Sequence, residues 1–114
     1  MTAAPRRPPL VEILYFDTCP NHREALALVE RVADDLGPEA DIRLVNVADP
    51  DSAERLRFLG SPTVRIGGVD VEPGADERTG YAFSCRVFPT ERGFAGQPEE
   101  GWIREALVQE AGRA

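Results

Sequence analysis

The chain contains no lysine; all 13 of its basic residues are arginine. That excludes any mechanism that needs a lysine Schiff base. It has one histidine and two cysteines, Cys19 and Cys85, too few in one chain for a cysteine-rich zinc site. No apolar run approaches the roughly 20 residues needed to cross a bilayer. No Gly-x-Gly-x-x-Gly or Walker pattern occurs, and Gly67-Gly68 is explained by a turn. Basic charge is also in deficit. Twenty acidic residues against 13 basic ones give a net charge of −7, which argues against a nucleic-acid partner and bears mainly on solubility. The first nine residues are proline-rich, with Arg6 and Arg7 but no apolar stretch, a poor signal peptide. The expectation is a flexible tail over 1–9, a single domain over 10–114, and a cytoplasmic protein with no membrane partner, monomeric or homodimeric. In a reducing cytosol a permanent structural disulfide is not expected, so any cysteine pairing there is transient.

What is present is an alternation of strand and helix signals. Hydrophobic residues make up 42% of 114, enough for one core. Residues 10–16 are apolar apart from Glu12, as in a strand buried on both faces. Leu26, Val29, Val32, Ala33 and Leu36 then recur at spacings of three and four, the stripe of a helix that Gly37-Pro38 stops. Residues 41–47 read as a second strand. Asp49 as N-cap and Pro50 in the first turn open a second helix, with Ala53, Leu56 and Leu59 apolar and Gly60 at its end. Two short runs around Gly67-Gly68 read as a hairpin, headed by Pro62 and closing at Glu72. Residues 81–88 alternate like a strand or form an extended loop, and 89–96 read as loop. A last helix opens near Pro98 with Trp102, Ile103, Ala106 and Leu107 inward.

Cys19 lies at the first strand-to-helix junction, just before Pro20. The unpaired N–H groups of a helix start favour an anion, hence thiolate over thiol. Cys19 is therefore the candidate reactive centre; the competing reading is a small buried apolar side chain. His22, one turn on, either stabilises the Cys19 thiolate, more as a neutral hydrogen-bonding group than as an ion pair, or is a base that activates it; the competing reading is a first-turn residue that meets solvent or caps backbone. Asp17 is a strand-end turn residue or a proton relay to Cys19.

The order strand, helix, strand, helix, hairpin, helix resembles the thioredoxin fold, and the motifs agree in position. Cys19 occupies that family's nucleophile position, and Ser61-Pro62-Thr63 resembles its cis-proline loop. The resemblance implies an α/β fold with a mixed sheet of about four strands, helices on both faces, and a cis Ser61–Pro62 bond. It also implies that Ser61, Pro62 and Thr63 bind substrate opposite the thiol. The segments Tyr15-Phe16-Asp17-Thr18-Cys19-Pro20-Asn21-His22, Arg57-Phe58-Leu59-Gly60-Ser61-Pro62-Thr63-Val64 and Ser84-Cys85-Arg86 are most similar to small bacterial thioredoxin-like proteins, some labelled alkylmercury-lyase-like. One departure matters. Where the thioredoxin Cys-x-x-Cys has its second cysteine, this chain has His22.

Cys85 is thus either the displaced resolving thiol for Cys19 or the second thiolate of a two-coordinate soft-metal site. Both need the two Cα atoms within about 6 Å. The competing reading is a core cysteine between Phe83 and Val87 on a strand, with Arg86 on the other face. Three functions follow. The first is a thiol-dependent redox protein that needs no cofactor. In it Cys19 attacks a thiol or disulfide substrate, small molecule or protein, and Cys85 resolves the mixed disulfide. The second is a mercury binder or organomercurial-lyase-like protein that holds the metal between Cys19 and Cys85, with Asp17 as acid. The third is a non-catalytic interaction module.

Overall fold

The computed structural model describes residues 8–37 and 40–111. The tail expected over 1–9 lies outside them apart from Pro8 and Pro9, as does Pro38. The described elements are β1 (Leu10–Tyr15), α1 (Asn21–Leu36), β2 (Asp41–Asn46), α2 (Pro50–Arg55), β3 (Thr63–Ile66), β4 (Val69–Asp70), a 3-10 turn (Ala75–Glu77), β5 (Phe88–Thr90), β6 (Gly93–Ala95) and α3 (Glu100–Ala111). Four strands form a mixed sheet in the order β2-β1-β3-β4. β1 runs parallel to β2 and antiparallel to β3, and β3 is antiparallel to β4.

Alternation along β1 divides the core between the two faces of this sheet. Val11 and Ile13 join Ala25, Val29 and Val32 of α1, Val64 and Ile66 of β3, and Ile103 and Leu107 of α3. Leu14 and the following Phe16 point the other way, to Val47, to Ala53 of α2, and to Phe58. Cys19 belongs to this second, smaller cluster and has no exposed surface. Helices therefore cover both faces, α1 and α3 on one and α2 on the other.

The local signals explain the ends of the elements. Gly37 takes a left-handed φ of 82° and its N–H donates to the carbonyls of Ala33 and Asp34, which closes α1. Asp49 caps α2 by accepting from the Ser52 N–H at 2.7 Å. Helix α2 is shorter than its apolar spacing implies. It ends at Arg55 because Arg57 adopts a left-handed φ of 55° and the Phe58 N–H returns to the Ala53 carbonyl. Leu59 is buried all the same, from the loop rather than from a helix face.

Two expectations are corrected. Residues 89–96 are not plain loop: β5 and β6 form a two-stranded ribbon, with Thr90 opposite Gly93 at the turn. Residues 81–87 are not a strand buried in the core. Phe83 and Val87 are exposed, and Cys85 with them, so the reading of Cys85 as a core residue fails. Among the described residues, no helix is long and apolar enough to cross a membrane.

Leu107 joins α3 to α1 and the sheet with 1% of its surface exposed. Leu107→Ala is expected to lower unfolding stability by about 2–5 kcal/mol, measured by urea denaturation. A loss below half a kcal/mol would mean that α3 is not part of the core.

Candidate functional site

Cys19 is placed by a turn and a helix start. Its own N–H donates to the Phe16 carbonyl at 3.1 Å, which folds the chain back at the end of β1. Pro20 holds a helical φ of −77° ahead of α1. The Asn21 N–H at the start of α1 is then turned toward the sulfur.

The cis Ser61–Pro62 turn lies against this thiol. The Cys19 Sγ donates to the Ser61 carbonyl at 3.5 Å. Ser61, Pro62 and Thr63 are all buried, and the Ser61 hydroxyl has no hydrogen-bond partner among the described residues. Thr63 points elsewhere, donating to the Gly60 carbonyl at 2.7 Å.

The backbone of this turn is occupied by the chain itself. The Ser61 N–H donates to the Ser84 carbonyl at 2.8 Å, and the Arg86 N–H donates to the Ser61 carbonyl at 2.9 Å. Ser61 and Cys85 thereby form an isolated parallel bridge. A third bond, Ala82 N–H to the Phe58 carbonyl at 2.9 Å, extends the alignment. Gly60 makes the close approach feasible. A Cβ there would fall 2.9 Å from the Arg86 Cβ and 3.0 Å from the Ser84 carbonyl oxygen.

The bridge delivers Cys85 to Cys19. The Cys85 Sγ donates to the Cys19 Sγ at 2.9 Å, across 66 positions of sequence. The two thiols are unequal: Cys19 is fully buried and Cys85 is exposed. Burial pushes the Cys19 thiol up, but the hydrogen bonds from Cys85 and the Asn21 N–H, with the nearby Ser61 hydroxyl as the smallest contribution, outweigh it, so its pKa falls below the ordinary thiol value. Cys85 moves the opposite way, raised by donating to Cys19, by its own desolvation and by the neighbouring negative charge. The pair thus favours a thiolate on Cys19 held by a thiol on Cys85.

Two anchors flank Cys85. On one side Phe83 stacks on Phe16 with ring centroids 4.6 Å apart. On the other, Arg86 does what its sequence position concealed. Its side chain is 1% exposed and forms ion pairs with Asp70 and Glu72, both at 2.8 Å. It also donates to the Thr63 hydroxyl at 3.1 Å and lies 4.4 Å from the centre of the Phe88 ring. Arg78 completes the group by pairing with Glu72 at 3.0 Å. Alternation implies that Arg86 does not support Cys85 directly, and its side chain does make its contacts elsewhere; what alternation does not show is that its backbone N–H holds Ser61.

The other expected residues stand apart from the sulfurs. His22 Nδ1 lies 2.8 Å from the Cys19 carbonyl oxygen, and its ring stacks on Tyr15 at 4.2 Å. It braces the turn backbone rather than the thiol. Asp17 is exposed and makes no hydrogen bond or ion pair among the described residues. No group of three or more His, Cys, Asp or Glu side chains able to hold a metal occurs among the described residues.

Two variants test this geometry. Cys85→Ala removes the first of the hydrogen bonds that lower the Cys19 pKa, so thiolate absorbance near 240 nm should titrate at higher pH than in the parent. An unchanged titration would show that the Asn21 N–H and Ser61 suffice. Arg86→Met leaves Asp70 and Glu72 without their buried counter-charge and should cost about 3–5 kcal/mol of stability, read from chemical denaturation; a loss under 1 kcal/mol would count against a buried network. No protein-family model matches the chain, and no curated protein matches it.

Proposed function

We propose that the protein is a thiol–disulfide exchange protein of the thioredoxin-like class, working through Cys19 and Cys85. The observation that carries this reading is the 2.9 Å contact between two sulfurs brought together from 66 positions apart. The β2-β1-β3-β4 order, the cis Ser61–Pro62 bond and the cysteine ahead of α1 support the thioredoxin-like assignment. The lowered pKa of Cys19 supports the chemistry, since the thiolate is the reactive form and a low-pKa thiol is the better leaving group.

Exposure revises the order of events that the sequence suggests. A reagent from solution meets Cys85 first, because Cys19 has no exposed surface. In the oxidised protein an incoming thiolate attacks the Cys85 Sγ. The new sulfur–sulfur bond forms there, the Cys19–Cys85 bond breaks, and its electron pair stays on Cys19 as thiolate. A second thiolate then attacks the substrate sulfur of the mixed disulfide and releases Cys85, which takes a proton from solvent. Two substrate thiols leave as one disulfide and the protein becomes the dithiol. Run in reverse, the Cys19 thiolate closes on Cys85 and expels the substrate thiolate, reducing a substrate disulfide.

The soft-metal reading has less support. A linear two-sulfur site sets its sulfurs two metal–sulfur bonds apart, roughly 4.6 Å for bonds like zinc–thiolate, so this pair would have to open. The exposed Asp17 makes no hydrogen bond to either sulfur.

Mild oxidation with diamide followed by peptide mapping should yield one internal Cys19–Cys85 disulfide. With oxidised glutathione, Cys19→Ser should stall as a mixed disulfide on Cys85, whereas the parent should resolve it. Two free, inert thiols in the oxidised parent would end the exchange reading.

A further inference from the structure

The molecule carries a second feature that the thiol chemistry does not use. Among the described residues, Arg31, Arg43, Arg78, Arg86 and Arg104 are in ion pairs, while Arg23, Arg55, Arg57, Arg65 and Arg92 are in none. Three of that second group, Arg55, Arg57 and Arg65, line one cleft of about 410 Å³ between the end of α2, β3 and the 75–81 segment. Arg78 and Tyr81 also line it.

The acidic residues at this cleft do not balance it. Asp70 reaches it, but both its carboxylate oxygens are engaged by Arg86. Glu72 is shared between Arg86 and Arg78. That leaves Arg55, Arg57 and Arg65 against Asp76 alone among the lining acids. Such a concentration is not expected from composition, because the chain as a whole carries a charge of −7. Like charges gathered around a concave surface repel one another and gain when an anion enters.

Two of the guanidinium groups are held in place. Arg65 is half-buried, and its Nη2 donates to the carbonyls of Leu56 and Arg57, while its other N–H donors make no hydrogen bond among the described residues. The Arg55 Nη2 donates to the Ser52 hydroxyl at 3.1 Å. Arg57 sits at the one left-handed non-glycine position among the described residues, in the turn that Arg65 braces. Guanidinium forks fixed in this way suit the paired oxygens of phosphates and carboxylates.

We infer that the cleft lined by Arg55, Arg57 and Arg65 is a binding site for a small multivalent oxyanion, a polyphosphate or polycarboxylate. Its volume admits a ligand larger than a single inorganic ion, and Tyr81 supplies an amphipathic wall for the uncharged part. The inference does not depend on the Cys19–Cys85 chemistry, and the site would bind with both thiols alkylated.

The test is a titration of the full chain with inorganic pyrophosphate and, separately, with citrate, at ionic strength held constant with sodium chloride, followed by backbone amide NMR. Saturable shifts confined to residues around Arg55, Arg57, Arg65 and Tyr81 are expected with at least one of the two, and the tighter binder identifies the phosphate or the carboxylate source. The exposed Arg57→Gln should weaken that binding about tenfold, and Arg92→Gln, on the β5–β6 turn outside the cleft, should not. Shifts that rise linearly with both anions, or that are unaltered in Arg57→Gln, overturn the inference.

Discussion

The guanidinium of Arg86 is the interaction on which the site depends. It is the most deeply buried charge described, held by Asp70 and Glu72 from the hairpin side of the sheet and by Thr63 from β3. Ion pairs out of water are costly to form and costlier to break on one side only. Such a group is a poor source of net stability and a good means of fixing position. Here it fixes the 81–87 segment, which has little regular structure of its own, against the turn that faces Cys19.

The sheet and the helix supply the other half. Leu14, Phe16 and Phe58 make the apolar floor under Cys19, and the start of α1 supplies an N–H. Burial alone would hold that thiol protonated. It is countered by polar groups on three sides, the first of which is the second thiol itself. In the proposed exchange the same Cys85 is thus both the sulfur that meets the substrate and the donor that readies its partner.

Much of the architecture was legible from residue pattern. The β1–α1 unit, the Asp49 cap, the glycine turn between β3 and β4 and the inward residues of α3 follow from period and turn chemistry, which are local. The cis Ser61–Pro62 bond followed from motif resemblance. What could not be read was non-local. Motif resemblance names Cys85 as a partner for Cys19, but no local pattern shows how its sulfur gets there, since that depends on Ser61 lending both its N–H and its carbonyl to residues 84 and 86. The part Arg86 plays through its backbone bond to Ser61 does not follow from strand alternation, since its segment is not a strand. A buried arginine is also invisible until Asp70 and Glu72 are brought beside it. The β5–β6 ribbon was missed because Pro89 and a turn without Asn-Gly suppress the usual hairpin signal. Gly60 was read only as the end of a helix, yet its lack of a side chain is what lets the backbone of residues 84–86 lie against it.

In a Cys-x-x-Cys motif both sulfurs ride on one helical turn, so their separation is set by helix geometry. The bridge between Ser61 and Cys85 assigns the two sulfurs to different mechanical bodies. The distance between them is set by the Ser61 bridge and the Arg86 ion pairs, not by the winding of α1. A substitution that loosened that bridge would part the sulfurs and withdraw the hydrogen-bond donor from Cys19 with α1 left intact.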